Sequence, residues 1–170
     1  MSKKERRVVA LDTSTNVTGW ALYVNGKYSR SGSIDVHKIK DSKRRTIDMC
    51  FHITALLSQL KPDDVVIEEL PSARNMKTVR ALSRIIGAVF YHCVNKNITY
   101  QEMSCAVWRS VVGIDNRNRD NAKLMSVNRV KQIYFKSVTD DEADAINIGE
   151  AYCVINGLAE LKEMKIYGIK

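Results

Sequence analysis

The chain has 170 residues, a length suited to one domain, and all of it reads as a single unit, 1–170. Apolar residues make up 45% and charged residues 27%, a composition that excludes disordered, fibrous and membrane-embedded classes. Lysine plus arginine total 27 against 19 acids, a net charge of +8 with a pI near 9.4, so the partners it favours are polyanions such as nucleic acid.

The basic start, Met1 to Arg7, is followed only by Val8-Val9-Ala10-Leu11 before Asp12 interrupts. That run is too short for a signal peptide, and no stretch approaches the ~20 apolar residues of a membrane span. The expected location is the cytoplasm, with no membrane partner. Val8 to Leu11 instead predicts a buried central strand ending at Asp12. Gly19 to Val24 is a second strand, Asn25-Gly26 a hairpin turn, and Tyr28 to Ile34 the returning third strand. From Lys43 to Leu60 the period changes: Ile47, Cys50, Ile53, Leu57 and Leu60 recur at three- and four-residue steps, an amphipathic helix ended by Lys61-Pro62-Asp63. Val65 to Ile67 is a fourth strand that delivers Glu68 and Glu69. A second helix follows Arg74, with Val79, Leu82, Ile86, Val89, Phe90 and Cys93 on one face, and Ile98 to Met103 is a fifth strand. The remainder is helical: Ser104 to Val112, then Asn121 to Lys136 after a polar loop, and Asp140 to Lys162.

The order β-β-β-α-β-α-β followed by helices predicts an α/β fold with a five-stranded mixed sheet flanked by helices, the ribonuclease H-like arrangement. Cys50, Cys93, Cys105 and Cys153 form no C-x-x-C pair and have no histidine at zinc spacing, so they are expected as reduced, small apolar residues. His37, His52 and His92 show no paired spacing. Trp20 is expected to pack in the sheet and Trp108 in the core.

Four carboxylates stand out. Asp12 and Glu68 end strands that crossover rules place side by side. Thr139 and Glu142 fit a capping box, and Asp141 and Asp144, three apart, share a helical face. Acids at a helix start are ordinary capping when taken alone. Four gathered carboxylates repel one another by several kcal/mol, about 4 per pair at 4 Å and an effective dielectric of 20, unless cations neutralise them. Oxygen-only donors suit Mg²⁺ or Mn²⁺, and a pair of such ions hydrolyses phosphodiesters. Asp140 and Glu69 remain alternatives to their neighbours Asp141 and Glu68. Arg74, Lys77, Arg80 and Arg84, at helical spacing, and Arg117, Arg119 and Lys123 flank the acidic positions as candidate phosphate contacts. Lys38 to Arg45 is read as a solvated loop and helix start.

With these residues in view, the chain resembles the RuvC-type Holliday-junction resolvases, in a compact, bacteriophage-like form. Leu11 to Trp20, with Asp12 ahead of Val17-Thr18-Gly19-Trp20, is similar to the family's first motif; Ile67-Glu68-Glu69 to its second; Val111-Val112-Gly113-Ile114 to a segment near its lysine loop; and Asp141-Glu142-Ala143-Asp144-Ala145 to its closing D-x-A-D-A. The resemblance implies a homodimer that resolves four-way junctions, and possible activity on forks and flaps, by paired nicks, acting in the bacterial host cytoplasm if phage-encoded. It implies that Asp12, Glu68, Asp141 and Asp144 bind two Mg²⁺ ions (Mn²⁺ substituting), that Lys123 matches a lysine acting near the cut, and that Arg109 stands where the family has a second lysine contacting DNA. Asp12-Thr13-Ser14 departs from the family's Asp-Pro-Gly, and Leu70-Pro71-Ser72 falls where many members carry an aromatic wedge. Two other readings compete: a non-catalytic structure-selective DNA-binding protein, and a single-lobe scaffold of the sugar-kinase and actin type.

Overall fold

The computed structural model describes residues 5–70, 75–115 and 118–162. Its five strands are β1 (Arg7–Asp12), β2 (Val17–Val24), β3 (Lys27–Asp35), β4 (Asp64–Glu68) and β5 (Thr99–Met103), and its five helices are α1 (Ser42–Leu60), α2 (Met76–Lys96), α3 (Cys105–Val112), α4 (Arg119–Tyr134) and α5 (Asp140–Ile155). The sheet order is β3-β2-β1-β4-β5, with β1, β2 and β3 antiparallel and β4 and β5 parallel to β1. This is the mixed ribonuclease H-like sheet that the order of elements predicts.

Asn25 and Gly26 both take positive φ, 51° and 74°, as a two-residue hairpin turn with right-handed strand twist requires. The continuous apolar run of β1 follows from two covered faces. Val9 and Leu11 point to a layer made by α1 and α2, with Met49, Ile53, Leu57, Ile85 and Val89; Val8 and Ala10 point to α3, α4 and α5, with Trp108, Ala143, Ile146 and Ile148. Trp108 is fully buried, and Trp20 is partly buried against the α1/α2 layer.

Several details differ from the sequence reading. The buried stripe of α1 is Thr46, Met49, Ile53, Leu57 and Leu60, and Ile47 is 51% exposed. On α2 the stripe is Leu82, Ile85, Val89 and Cys93, leaving Phe90 51% exposed. In both helices the i, i+3, i+4 pattern admits two adjacent stripes, and only packing selects one. α4 begins at Arg119, because Asn118 caps it by accepting from the N–H groups of Asp120 and Asn121, and it ends where Phe135 turns left-handed at φ 54°. α5 stops at Ile155, not Lys162: Gly157 takes φ 65°, and the N–H groups of Leu158 and Ala159 return to the Cys153 carbonyl. All four cysteines are free, Cys93 and Cys153 buried, Cys50 and Cys105 partly so. Among the described residues, no helix is long and apolar enough to cross a membrane.

Candidate active site

Asp12 is the last residue of β1 and pairs with Gly19 on β2. On its other side β1 and β4 run in register through Leu11 and Ile67, so Asp12 and Glu68 occupy the next rung of adjacent parallel strands. Alternation along the strands puts Asp12 on the same side as Ala10, and Glu68 on the same side as Val66, the face covered by α5. Glu69 therefore belongs to the other face and is exposed, which separates it from Asp12.

α5 reaches this edge because Gly19 has no side chain. A Cβ there would lie 1.9 Å from the Asp141 carbonyl oxygen and 2.3 Å from its carbon, so the first turn of α5 rests directly on β2. Thr139 caps the helix by accepting from the Glu142 N–H at 3.3 Å. The second half of the expected capping box is not made: the Glu142 carboxylate accepts from Ser31 at 2.6 Å and from Lys136. Asp140 forms an ion pair with Lys123 of α4, and that hydrogen bond holds its carboxyl below the usual range. Asp140 is thus committed to a cation of the chain itself, while Asp141 and Asp144 face the strand-end acids.

The electrostatics tie the four together. Burial, then the charges of Glu68 and Asp144, the hydrogen bond to Glu68 and the charge of Asp141 push the Asp12 carboxyl well above the ordinary range. Asp141 is raised by burial and by Asp140, with Lys123 opposing. Asp144 is raised to about 6, chiefly by burial, with Ser126 donating a hydrogen bond that opposes the rise, Glu68 adding to it and Arg109 opposing it. Among the described residues, no three acidic, histidine or cysteine side chains are drawn tightly enough together to enclose an ion as they stand. The cluster is a loose set of hard oxygen donors whose burial and mutual repulsion raise Asp12, Asp141 and Asp144, and a divalent cation suits such donors.

Two neighbours escaped the sequence reading. Cys105 adjoins Glu68, and its thiol is pushed up to about 12 by burial first and then by Glu68. The pairing of Glu68 with Met103, two residues before Cys105, is the signal that could have found it. Ser126 of α4 is fully buried against Asp144; nothing in its spacing marks it. Arg109 is only 9% exposed and stacks on the Trp108 ring at 5.1 Å, with its charge felt by Asp144 and Cys105.

Lys77 and Arg80 lie on the α2 side of the sheet. Together with Arg84 they line a cleft of about 630 Å³ whose other wall is Lys43 and Arg45 of α1, and which Thr15, three residues beyond Asp12, also lines. Among the described residues, no acidic side chain lines it. Arg45 donates to the carbonyls of Thr15 at 3.0 Å and Ile39 at 2.8 Å, which anchors its charge without neutralising it. The stretch Lys38 to Arg45 is largely exposed, as a solvated loop and helix start should be, and its Ser42, Lys43 and Arg45 also line this cleft. Arg119 opens α4, and Arg74, Arg117 and Pro71-Ser72 lie outside the described residues.

The family model for the crossover junction endodeoxyribonuclease RuvC matches residues 8–152. The RuvC of Thermomicrobium roseum is 25% identical over 159 residues, covering 92% of this chain and 98% of that protein. The RuvC of Baumannia cicadellinicola is 28% identical over 154 residues, covering 88% and 87%. Among solved structures, Thermus thermophilus RuvC in complex with a Holliday junction substrate superposes with a TM-score of 0.67 at 13% identity, over 91% of this chain and 98% of that one. The yeast mitochondrial Holliday junction resolvase follows at a TM-score of 0.60 and 12% identity, over 90% and 80%. With its sheet order, strand-end acids and closing acidic helix, this chain belongs to the RuvC family of crossover junction endodeoxyribonucleases.

Proposed function

We propose that this chain is a metal-dependent endonuclease that resolves four-way DNA junctions by paired nicks, with Asp12, Glu68, Asp141 and Asp144 as the metal-binding carboxylates. The observation that supports the reading is the approach of Glu68, Asp141 and Asp144 to Asp12 at the carboxyl ends of the central strands β1 and β4, where each of the three raises the proton affinity of Asp12. Two Mg²⁺ ions, or Mn²⁺ in their place, would offset that repulsion and supply an activated water and a stabilised leaving oxygen. The residues of the chain do the positioning. The strand ends fix Asp12 and Glu68, Gly19 lets α5 bring Asp141 and Asp144 against them, and Lys123, paired with Asp140 beside the cluster, is the cation closest in role to the lysine near the cut. Arg109, buried next to Asp144, tempers the negative charge of the cluster.

A nucleic-acid substrate is supported by the cleft of Lys43, Arg45, Lys77, Arg80 and Arg84 beside the acidic residues, which fits a phosphate backbone continuing past the cut, and branched DNA is the form that membership of the RuvC family favours. Arg74, Arg117 and Arg119 are further candidate phosphate contacts. A homodimer supplies the two sites that two nicks need. The outer face of α2, with Phe90, Tyr91 and Val94 exposed beside a groove lined by Leu70, Ile86, Gly87 and Tyr100, is the surface we assign to the partner copy. The cytoplasm is the expected site of action.

A labelled synthetic four-way junction incubated with the protein in Mg²⁺ or Mn²⁺ tests this reading. Symmetric nicks should appear with either metal and vanish in Asp12→Asn, which should still bind the junction. Absence of cleavage of any branched DNA in both metals would overturn it.

A further inference from the structure

Between α4 and α5 runs a chain of buried polar side chains that ends on Asp144. Its far end is Arg129, 1% exposed, whose five N–H donors are all used. Nε donates to the Val112 carbonyl at 3.1 Å; Nη1 donates to Asn147 Oδ1 at 2.8 Å and Glu150 Oε2 at 2.9 Å; Nη2 donates to Glu150 Oε1 at 3.0 Å and the Lys162 carbonyl at 2.8 Å. Glu150 is held in turn by the Tyr134 hydroxyl at 2.7 Å and the Lys162 N–H at 3.0 Å. The anchor is a saturated, buried ion pair.

An arginine only donates, so the oxygen of Asn147 must face Arg129, and this fixes which way the amide lies. Its Nδ2 then donates to Ser126 Oγ at 2.8 Å. With that oxygen already accepting, the single Ser126 hydroxyl proton is directed to its other partner, Asp144 Oδ1. Ser126 and Asn147 are fully buried, so water does not compete at either step. Every link is one-way, and the orientation set at Arg129 is passed to Asp144. The spacing makes this possible: Asp144, Asn147 and Glu150 step along one stripe of α5 at intervals of three, and Ser126 and Arg129 match them on α4.

We infer that Ser126 is a positioning residue of the active site, holding Asp144 through Oδ1 in the orientation that serves the acidic cluster, with Asn147 and Arg129 holding Ser126. The inference rests on the reading of the cluster as the metal site. Groups that orient metal-ligating side chains from behind carry effects of about 10–100-fold on metal affinity or activity.

The test uses the full-length chain and Ser126→Ala, with three readouts: Mn²⁺ binding by calorimetry, junction binding in EDTA, and single-turnover cleavage at saturating junction. Mn²⁺ affinity and cleavage rate should each fall by about 10–100-fold, while junction binding in EDTA stays within about twofold. Asn147→Asp keeps the side-chain shape but replaces the Nδ2 donor by an acceptor, and should impair Mn²⁺ binding in the same direction. If Ser126→Ala does not fold, Ser126→Cys, a similar shape with a weak donor, decides by the same readouts. A folded Ser126 variant with wild-type Mn²⁺ affinity and cleavage rate would overturn the inference while leaving the proposed function intact. A wild-type protein that neither binds Mn²⁺ nor cuts would overturn the proposed function and this inference with it.

Discussion

Burial and the neighbouring charges of Glu68, Asp144 and Asp141 raise the proton affinity of the Asp12 carboxyl, so close carboxylates are easier to hold together when Asp12 carries a proton. The sign of the pH dependence follows. Asp12 and Asp141 are raised, and Asp144 is raised from 3.8 to about 6, so between those values the folded chain holds more protons than the unfolded one. Stability contributed by these groups is present below their unfolded values and is lost as pH rises through the folded ones. Other groups pull the opposite way: the hydrogen bond from Lys123 lowers Asp140, and Glu150, which burial by itself would raise, is lowered by Arg129. The informative quantity is therefore a difference between variants. In EDTA at pH 8, Asp12→Asn should melt above the wild type, with about 2–4 °C for each kcal/mol relieved, and the gap should narrow toward pH 4. Mg²⁺ should raise the wild-type melting temperature more at pH 8 than at pH 5, and should act weakly on Asp12→Asn. Thermal melts across that range check both statements, and an unchanged difference from pH 4 to pH 8 would remove the repulsion argument.

At the scale of elements, the site depends on one close approach. A methyl group at position 19 would overlap the backbone of Asp141, so Gly19→Ala must lift the first turn of α5 off β2. Overpacking of this kind costs about 1–3 kcal/mol. We expect a lower melting temperature and loss of cleavage with junction binding retained, readable by calorimetry beside a gel-shift assay. How much of this was legible in the sequence depends on the range of the interaction involved. β1, the hairpin at Asn25-Gly26, and the acids at strand ends are local patterns, and the fold keeps them where those patterns put them. The stripe chosen by α1, the exposure of Phe90 and the end of α5 at Ile155 are set by what packs against each helix, and periodicity alone does not contain that. The same holds at the site. Asp12 and Glu68 could be paired from topology, whereas Ser126 and Cys105 meet the acids only through packing between elements far apart in sequence.

At the scale of the molecule, a net charge of +8 coexists with an acidic edge, so the positive charge must be unevenly placed. The cleft between α1 and α2 is one concentration of it, at the end of the sheet where Asp12 and Glu68 emerge. If phosphates lie there, Arg80→Gln and Arg84→Gln should each flatten the dependence of log K on log salt by about 0.9 for every phosphate no longer neutralised. Lys27→Gln, at the hairpin on the opposite end of the sheet, should leave the slope unchanged, and equal slopes for all three would exclude the cleft from the binding path. The polar anchor beneath Asp144 has a consequence in time. Synthesis proceeds from the first residue onward, so Asp12 and Glu68 leave the ribosome with β1 and β4, but Asp141 and Asp144 come more than seventy residues after Glu68. The Arg129–Glu150 pair is not fully bonded until Lys162 has arrived to give it a carbonyl and an N–H. A nascent chain that has passed Glu68 but not yet Lys162 therefore lacks either the second pair of acids or the support beneath Asp144, and the acidic cluster assembles only after α5 and the segment behind it have emerged.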